Sequence, residues 1–254
     1  MCRMDAVGAK YLIAQNGAET RTVNNLKPAA PGPGLHERIK SLHRYLLAGL
    51  VAALLAVAFV SIAGEVLEGD TAGFDGVVLR QAQSLRAGHP GFVSAIRDLS
   101  GLGSTVVLTV FVTLGVGYLI LVAAPTTAIL VAVSAGSATV LVSALKAVFS
   151  RLRPDGAFSE IMVPGLSFPS GHATMSAAIF LTMGALLAST RHRWAERIYI
   201  LFAAAVLTVL VGMSRIALGV HWATDVLGGW AFGSAWAMIW LMVARWLSRR
   251  DAAT

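Results

Sequence analysis

Six stretches of 17 to 20 residues carry no charged side chain: Tyr45–Gly64, Thr105–Ala124, Thr126–Leu145, Ala173–Thr190, Ile198–Ser214 and Val226–Ala244. A helix of about 20 apolar residues crosses roughly 30 Å of hydrocarbon and satisfies its own backbone donors and acceptors on the way. The pattern predicts an all-α, polytopic membrane protein, a bundle of six transmembrane helices. Composition agrees, with 56% hydrophobic and only 13% charged residues, where a soluble domain carries about 25% charged residues. Pro125 marks a tight turn between the second and third runs. Ser134, Gly136 and Ser137 provide the small residues that let helices approach closely in lipid.

The rest of the chain divides around these runs. Residues 1–40 are polar, broken by Pro28, Pro31, Gly32, Pro33 and Gly34, and read as a flexible N-terminal tail. Residues 41–250 then form the membrane domain. Between the first two runs, residues 65–102 are mixed and partly amphipathic. They predict an interfacial helix or pair of helices broken at Gly88-His89-Pro90-Gly91. Cys2 is the one cysteine, which excludes an internal disulfide and a cysteine-built metal site.

A net charge of +7 raises the question of nucleic acid, and its distribution answers it. With the N-terminus inside, the inner connections hold 13 Lys and Arg and the outer ones seven. Positive charge on the inner side is the expected topology signal in a membrane protein, so no nucleic-acid partner is required. Both termini are expected in the cytoplasm. The connections after the third and fifth spans, and the start of the fourth, fall together on the outer face of the cell membrane.

Those three places hold ionisable residues that are expensive near hydrocarbon and therefore need a reason to be there. Lys146 and Arg153 flank the end of the third span, where Pro154 disfavours helix at Arg153 and predicts a turn. Two permanent cations around a turn make a phosphate clamp. The competing reading makes Lys146, Arg151 and Arg153 ordinary interface anchors. Ser170 and Gly171 open the fourth span as helix cap and close-approach position, beside His172, a candidate general acid. The free amides of that first turn form an anion site.

In Ser214-Arg215-Ile-Ala-Leu-Gly-Val-His221-Trp-Ala-Thr-Asp225, His221 and Asp225 share a face if the segment is helical. A carboxylate on one ring nitrogen leaves the other nucleophilic. Gly219 supplies a bend that brings Arg215 to the pair. The competing reading is a polar pair joining two spans. A metal set of His172, His221 and Asp225 is opposed by three nearby cations, so neither metal nor cofactor is expected.

Lys146-(six residues)-Arg153-Pro154, Pro169-Ser170-Gly171-His172 and Ser214-Arg215-(five residues)-His221-(three residues)-Asp225 together resemble the three-part signature of the type 2 phosphatidic acid phosphatase family, in order and in spacing. The resemblance covers about residues 41 to 248. It implies a metal-independent membrane lipid phosphatase in which His221 attacks phosphorus to form a phosphohistidine and Asp225 orients it. His172 would serve the leaving group and then water, while Lys146, Arg153, Ser170, Gly171 and Arg215 hold phosphoryl oxygens.

The same signature occurs in soluble vanadium-dependent haloperoxidases, which six apolar spans argue against. Two alternatives stay open: a lipid phosphotransferase using the same site, and a non-enzymatic transporter, which would place ionisable residues deep within spans. The substrate expected is a lipid phosphate or diphosphate, such as phosphatidic acid, phosphatidylglycerol phosphate, undecaprenyl diphosphate or lipid A. Residues 65–102 and 155–168 are expected to select the lipid, the latter through Phe158, Met162, Val163, Leu166 and Phe168. Oligomeric state is left open by the sequence.

Overall fold

The structure is a computed structural model that describes residues 35–159, 161 and 163–251. Most of the expected N-terminal tail, and Met162, lie outside the described residues. The chain divides into two compact units, Met1–Arg44 and Tyr45–Thr254. In the first, residues 35–44 are helical. The second holds the bundle.

Among the described residues eight helices follow one another: α1 (Leu35–Glu68), α2 (Ala72–Gly88), α3 (Pro90–Gly101), α4 (Thr105–Leu121), α5 (Pro125–Phe149), α6 (Gly171–Ser189), α7 (Trp194–Ala217) and α8 (Ala223–Asp251). A short 3₁₀ turn at Gly156–Phe158 interrupts the long α5–α6 connection. No strand occurs among the described residues. The chain is an all-helical, multi-pass membrane protein.

Among the described residues five helical segments are long and apolar enough to cross a bilayer: Tyr45–Glu68, Pro125–Phe149, Gly171–Ser189, Trp194–Ala217 and Ala223–Leu247. The sixth span differs from the expected Thr105–Ala124. α4 ends at Leu121, about 25 Å along its axis, and reaches full length only with α3, across a 42° bend. Ser104 starts α4 as its cap, its hydroxyl accepting from the Val107 amide at 3.3 Å. The expected break in residues 65–102 is present, with His89 separating α2 from α3.

The charged motif residues also sit differently from the simple division into spans and connections. Lys146 lies in the last turn of α5, Arg215 in the last turn of α7 and Asp225 in the first turn of α8. Each helix is a few residues longer than its uncharged run, because a helix-end cation or carboxylate can face a wet site.

α6 is the centre of the bundle and packs chiefly on α7 and α8. Its sequence, rich in Ala, Ser and Gly, permits this approach. At Gly233 of α8 a Cβ would meet the Thr174 carbonyl oxygen of α6 at 2.3 Å. Leu108, Ile179, Phe180, Ala204 and Val211 form one apolar cluster between α4, α6 and α7. On the other side, Phe59 and Phe149 pack on Phe168, with ring centroids 5.9 Å and 4.8 Å away. Phe168 is fully buried. It is therefore a wedge that seats the α5–α6 connection, and the expectation that it contacts lipid is corrected. Packing also leaves large apolar side chains on the bundle's outside, such as Leu54, Val106 and Phe202, as a lipid-facing surface requires.

Candidate active site

The site forms where the start of α6, the α7–α8 turn and the end of α5 meet. α7 stops at Ala217, and Gly219 takes φ +73°, a backbone that residues with a Cβ rarely adopt. A Cβ there would also lie 1.8 Å from the Phe158 carbonyl oxygen. The bend expected at Gly219 is present. Arg86 of α2 ties this crossing, donating to the carbonyls of Ala217 and of Phe158, the latter at 2.7 Å.

The turn delivers His221 just ahead of α8, so the His221–Asp225 pair does not rest on a shared helical face as expected. Asp225 is the third residue of α8. Its Oδ2 accepts from the Trp222 backbone amide at 2.9 Å, a carboxylate reaching back to the helix cap. The same oxygen accepts from the Ser167 hydroxyl and lies 3.2 Å from His221 Nδ1. Both side chains are buried.

The other ring nitrogen, Nε2, is 3.0 Å from Arg153 Nη1. A guanidinium only donates, so Nε2 must accept, and the proton belongs on Nδ1, facing Asp225. The surroundings thus select the tautomer whose Nε2 lone pair is turned toward a cation. Burial lowers the His221 imidazole from its ordinary 6.5 to about 4, against the opposing pull of the Asp225 hydrogen bond and charge. Arg153 is held by the Val220 carbonyl at 2.8 Å and the Gly165 carbonyl at 3.1 Å. The chain does turn between Lys146 and Arg153, through Ser150 at φ +46°.

Lys146 Nζ donates to the Leu166 carbonyl at 2.6 Å. Arg215 is buried, with Nη1 on the Ser100 hydroxyl at 2.7 Å and Nε buried without a partner among the described residues. A buried unsatisfied donor is costly, and an anion's oxygen would satisfy it.

Ser170 caps α6, its hydroxyl accepting from the Ala173 amide at 3.5 Å. Its own amide donates to the Asp225 carbonyl at 2.9 Å, joining the starts of α6 and α8. His172 lies within coulombic reach of Arg215, His221, Arg153 and Lys146. Among the described residues no group of three or more His, Cys, Asp or Glu is placed to hold a metal.

Lys146, Arg153, Ser170, Gly171, His172, Arg215, His221 and Asp225 are thus gathered around one region. Sequence reasoning missed others. Arg151, weighed with its neighbours as an interface anchor, instead binds Asp225 Oδ1 and Asp75 Oδ2, each at 2.7 Å. Ser167, Ser100 and Thr224 carry no signal of their own in the sequence. For Arg151 the one available signal was its place two residues before Arg153.

A cavity of about 410 Å³ runs from the site between α4, α5 and α6. Lys146, Gly171 and His172 stand at its head, and Leu108, Val112, Ala135, Val142 and Ile179 line it further along the helices.

A helical membrane protein with a histidine–aspartate pair beneath a cluster of cations is the class that fold and site define. Residues 127–249 match the family described as PAP2 superfamily. It is 38% identical over 103 residues to phosphatidylglycerophosphatase B of Bacillus subtilis, covering 39% of this chain and 48% of that protein. To an undecaprenyl-diphosphatase of Sulfolobus acidocaldarius it is 40% identical over 68 residues, 27% of this chain and 29% of the relative. To a lipid A 1-phosphatase of Rhizobium johnstonii it is 32% identical over 112 residues, 41% and 42% of the two chains. The matched regions thus span less than half of these relatives.

Among solved structures, the fold is similar to the transmembrane PAP2-type phosphatidylglycerolphosphate phosphatase of Bacillus subtilis. The TM-score is 0.71 at 25% identity, over 76% of this chain and 96% of that one. LpxE of Aquifex aeolicus aligns with a TM-score of 0.50 at 25% identity, over 65% and 92%.

Proposed function

We propose that this chain is a membrane phosphatase for a lipid phosphate monoester or diphosphate, acting through a phosphohistidine. The observation that carries the reading is His221 Nε2, turned as an acceptor toward Arg153 while Asp225 holds the opposite nitrogen. A phosphoryl group arriving between Arg153, Lys146 and Arg215 takes over the Arg153 donor and meets the ring's lone pair. Phosphoryl transfer depends chiefly on positioning and charge stabilisation, and preorganised donors supply both.

In the first step Nε2 forms a bond to phosphorus and the bond to the leaving oxygen breaks. The His172 ring, protonated, gives its proton to that oxygen. In the second step the neutral His172 ring takes a proton from water, the water oxygen bonds to phosphorus, and the P–N bond breaks. Ser170 and the Gly171 amide hold phosphoryl oxygens beside the start of α6. No metal enters either step, so turnover survives EDTA.

The apolar cavity below Lys146 and His172 supports a lipid as the group carrying the phosphate, its chain lying between α4 and α5. The relatives' names span a glycerophospholipid, a polyprenyl diphosphate and a glycolipid, so the substrate is proposed at the level they share. The charge distribution supports cytoplasmic termini and a site at the outer leaflet. A phosphate-release panel with purified phosphatidic acid, phosphatidylglycerol phosphate, undecaprenyl diphosphate and lipid A tests the reading, each with and without an acceptor lipid. Free phosphate from at least one supports it. Transfer to the acceptor without free phosphate makes the chain a phosphotransferase, and no reaction with any overturns it.

A further inference from the structure

Asp75 takes no part in the chemistry proposed above, yet it is a carboxylate with 0% exposure. An ionised carboxylate in such a place requires close partners, and Asp75 has three contacts. Its Oδ2 accepts from Arg151 Nη2 and from the Thr224 hydroxyl, each at 2.7 Å, and its Oδ1 accepts from the Thr224 backbone amide at 2.9 Å. The last contact places a negative charge on the amide end of α8, where the helix dipole favours it.

Arg151 turns this pairing into a bridge. While Nη2 holds Asp75 and the Thr71 hydroxyl at 3.0 Å, Nη1 holds Asp225 Oδ1 at 2.7 Å and the Thr224 hydroxyl at 2.8 Å. The guanidinium is planar, so its two prongs fix the relative orientation of what they bind. One carboxylate is on α2 and the other is the carboxylate that orients His221. With Oδ1 pinned by Arg151, Asp225 cannot turn away from its Oδ2 contacts to His221, Ser167 and the Trp222 amide. The Trp222 ring lies against the guanidinium, 5.5 Å from its carbon, and limits its movement on that side.

We propose that Asp75 and Arg151 are positioning residues for His221, Asp75 fixing Arg151 and Arg151 fixing the Asp225 carboxylate, so that Nε2 stays aimed at phosphorus. This rests on the assignment of His221 as nucleophile. Neither residue touches the reacting atoms, so their loss lowers the rate of phosphorus attack and leaves substrate affinity in place.

The test uses the full chain in detergent with dioctanoyl phosphatidic acid or whichever lipid of the panel turns over best. Asp75→Asn removes the charge that anchors the bridge, and Arg151→Lys keeps the cation while removing the fork. Each is expected to lower kcat by roughly 10²-fold, the scale of a misplaced reacting group, with KM within about twofold. The rate of phosphoenzyme formation falls in parallel, at an unchanged number of labelled sites. Wild-type kcat in a variant with wild-type thermal midpoint and gel-filtration elution overturns the proposal. So does a loss explained wholly by fewer active sites at unchanged turnover per site, which is the signature of a purely structural contact. Should Asp75→Asn fail to fold, Asp75→Glu and Arg151→Lys, which retain every charge, decide. Absence of turnover in the wild type itself would instead overturn the phosphatase reading.

Discussion

Two guanidinium groups act on the His221 ring from opposite sides, Arg153 directly at Nε2 and Arg151 through Asp225 at Nδ1. In the proposed mechanism the first marks where phosphate arrives, and the second belongs to the frame that aims the ring. Replacement of Arg215 by Lys keeps the charge and removes the buried Nε–H, so kcat should fall by roughly 10²-fold, as for loss of one preorganised donor. Steady-state kinetics checks this, and an unchanged kcat would remove Arg215 from the phosphate cradle. The His221 imidazole, lowered to about 4 by burial, is neutral throughout the ordinary working range. The acid limb of kcat/KM should therefore fall near pH 4 instead of near 6.5. The unfolded ring protonates near 6.5 and the folded ring only near 4, so stability is intact above 6.5 and declines as pH drops between the two. Thermal midpoints across that range measure the decline.

The eight candidate residues that the fold gathers were legible in the sequence because each motif is local, with fixed spacing between polar residues in apolar surroundings. Arg151, Asp75, Ser167, Ser100 and Thr224 were not, because their meaning lies in pairings across the fold. Arg151 and Asp75 are 76 positions apart and Arg215 and Ser100 are 115 apart. Nothing in one strand of text marks such a pair.

The elements carry predictions of their own. The α7–α8 turn depends on Gly219 for its positive φ and for room beside Phe158. Gly219→Ala therefore adds strain of about 1–3 kcal/mol and displaces the loop that holds His221. A lower thermal midpoint together with lower kcat is expected, whereas a wild-type midpoint would contradict the packing described. At the α6–α8 crossing, Gly233→Ala meets the Thr174 carbonyl and should destabilise the bundle by about 1–3 kcal/mol. Six of the eight described helices, and their order, were legible from the uncharged runs, and α2 and α3 from the amphipathic segment between the first two. The bend between α3 and α4 was not, because the expected span ran on to Ala124 and took no length from the more polar α3. Helix ends were also misjudged wherever a charged residue belongs to the last or first turn.

At the scale of the whole molecule, the described residues hold five long apolar helices and one bent pair, and the proposed topology counts six crossings with both termini in the cytoplasm. Lys and Arg are concentrated in the connections assigned to that side. With Cys2 replaced by Ala, Asp155→Cys should label with an impermeant thiol reagent on intact cells, and Arg193→Cys should label only after lysis. The reverse result would turn the site toward the cytoplasm. In the proposed function the fold brings two distant requirements together: a cluster of cations to receive phosphate, and an apolar cavity to leave the chain of the lipid in the bilayer.

In the proposed mechanism His221 carries the phosphoryl group. Quenching the enzyme early in turnover with a ³²P-labelled lipid phosphate, followed by peptide mapping, reads this directly. An acid-labile label is expected on the peptide that holds His221 and none in His221→Ala, which should lose roughly 10³-fold or more in turnover. Label on another residue, or full turnover by His221→Ala, would contradict it.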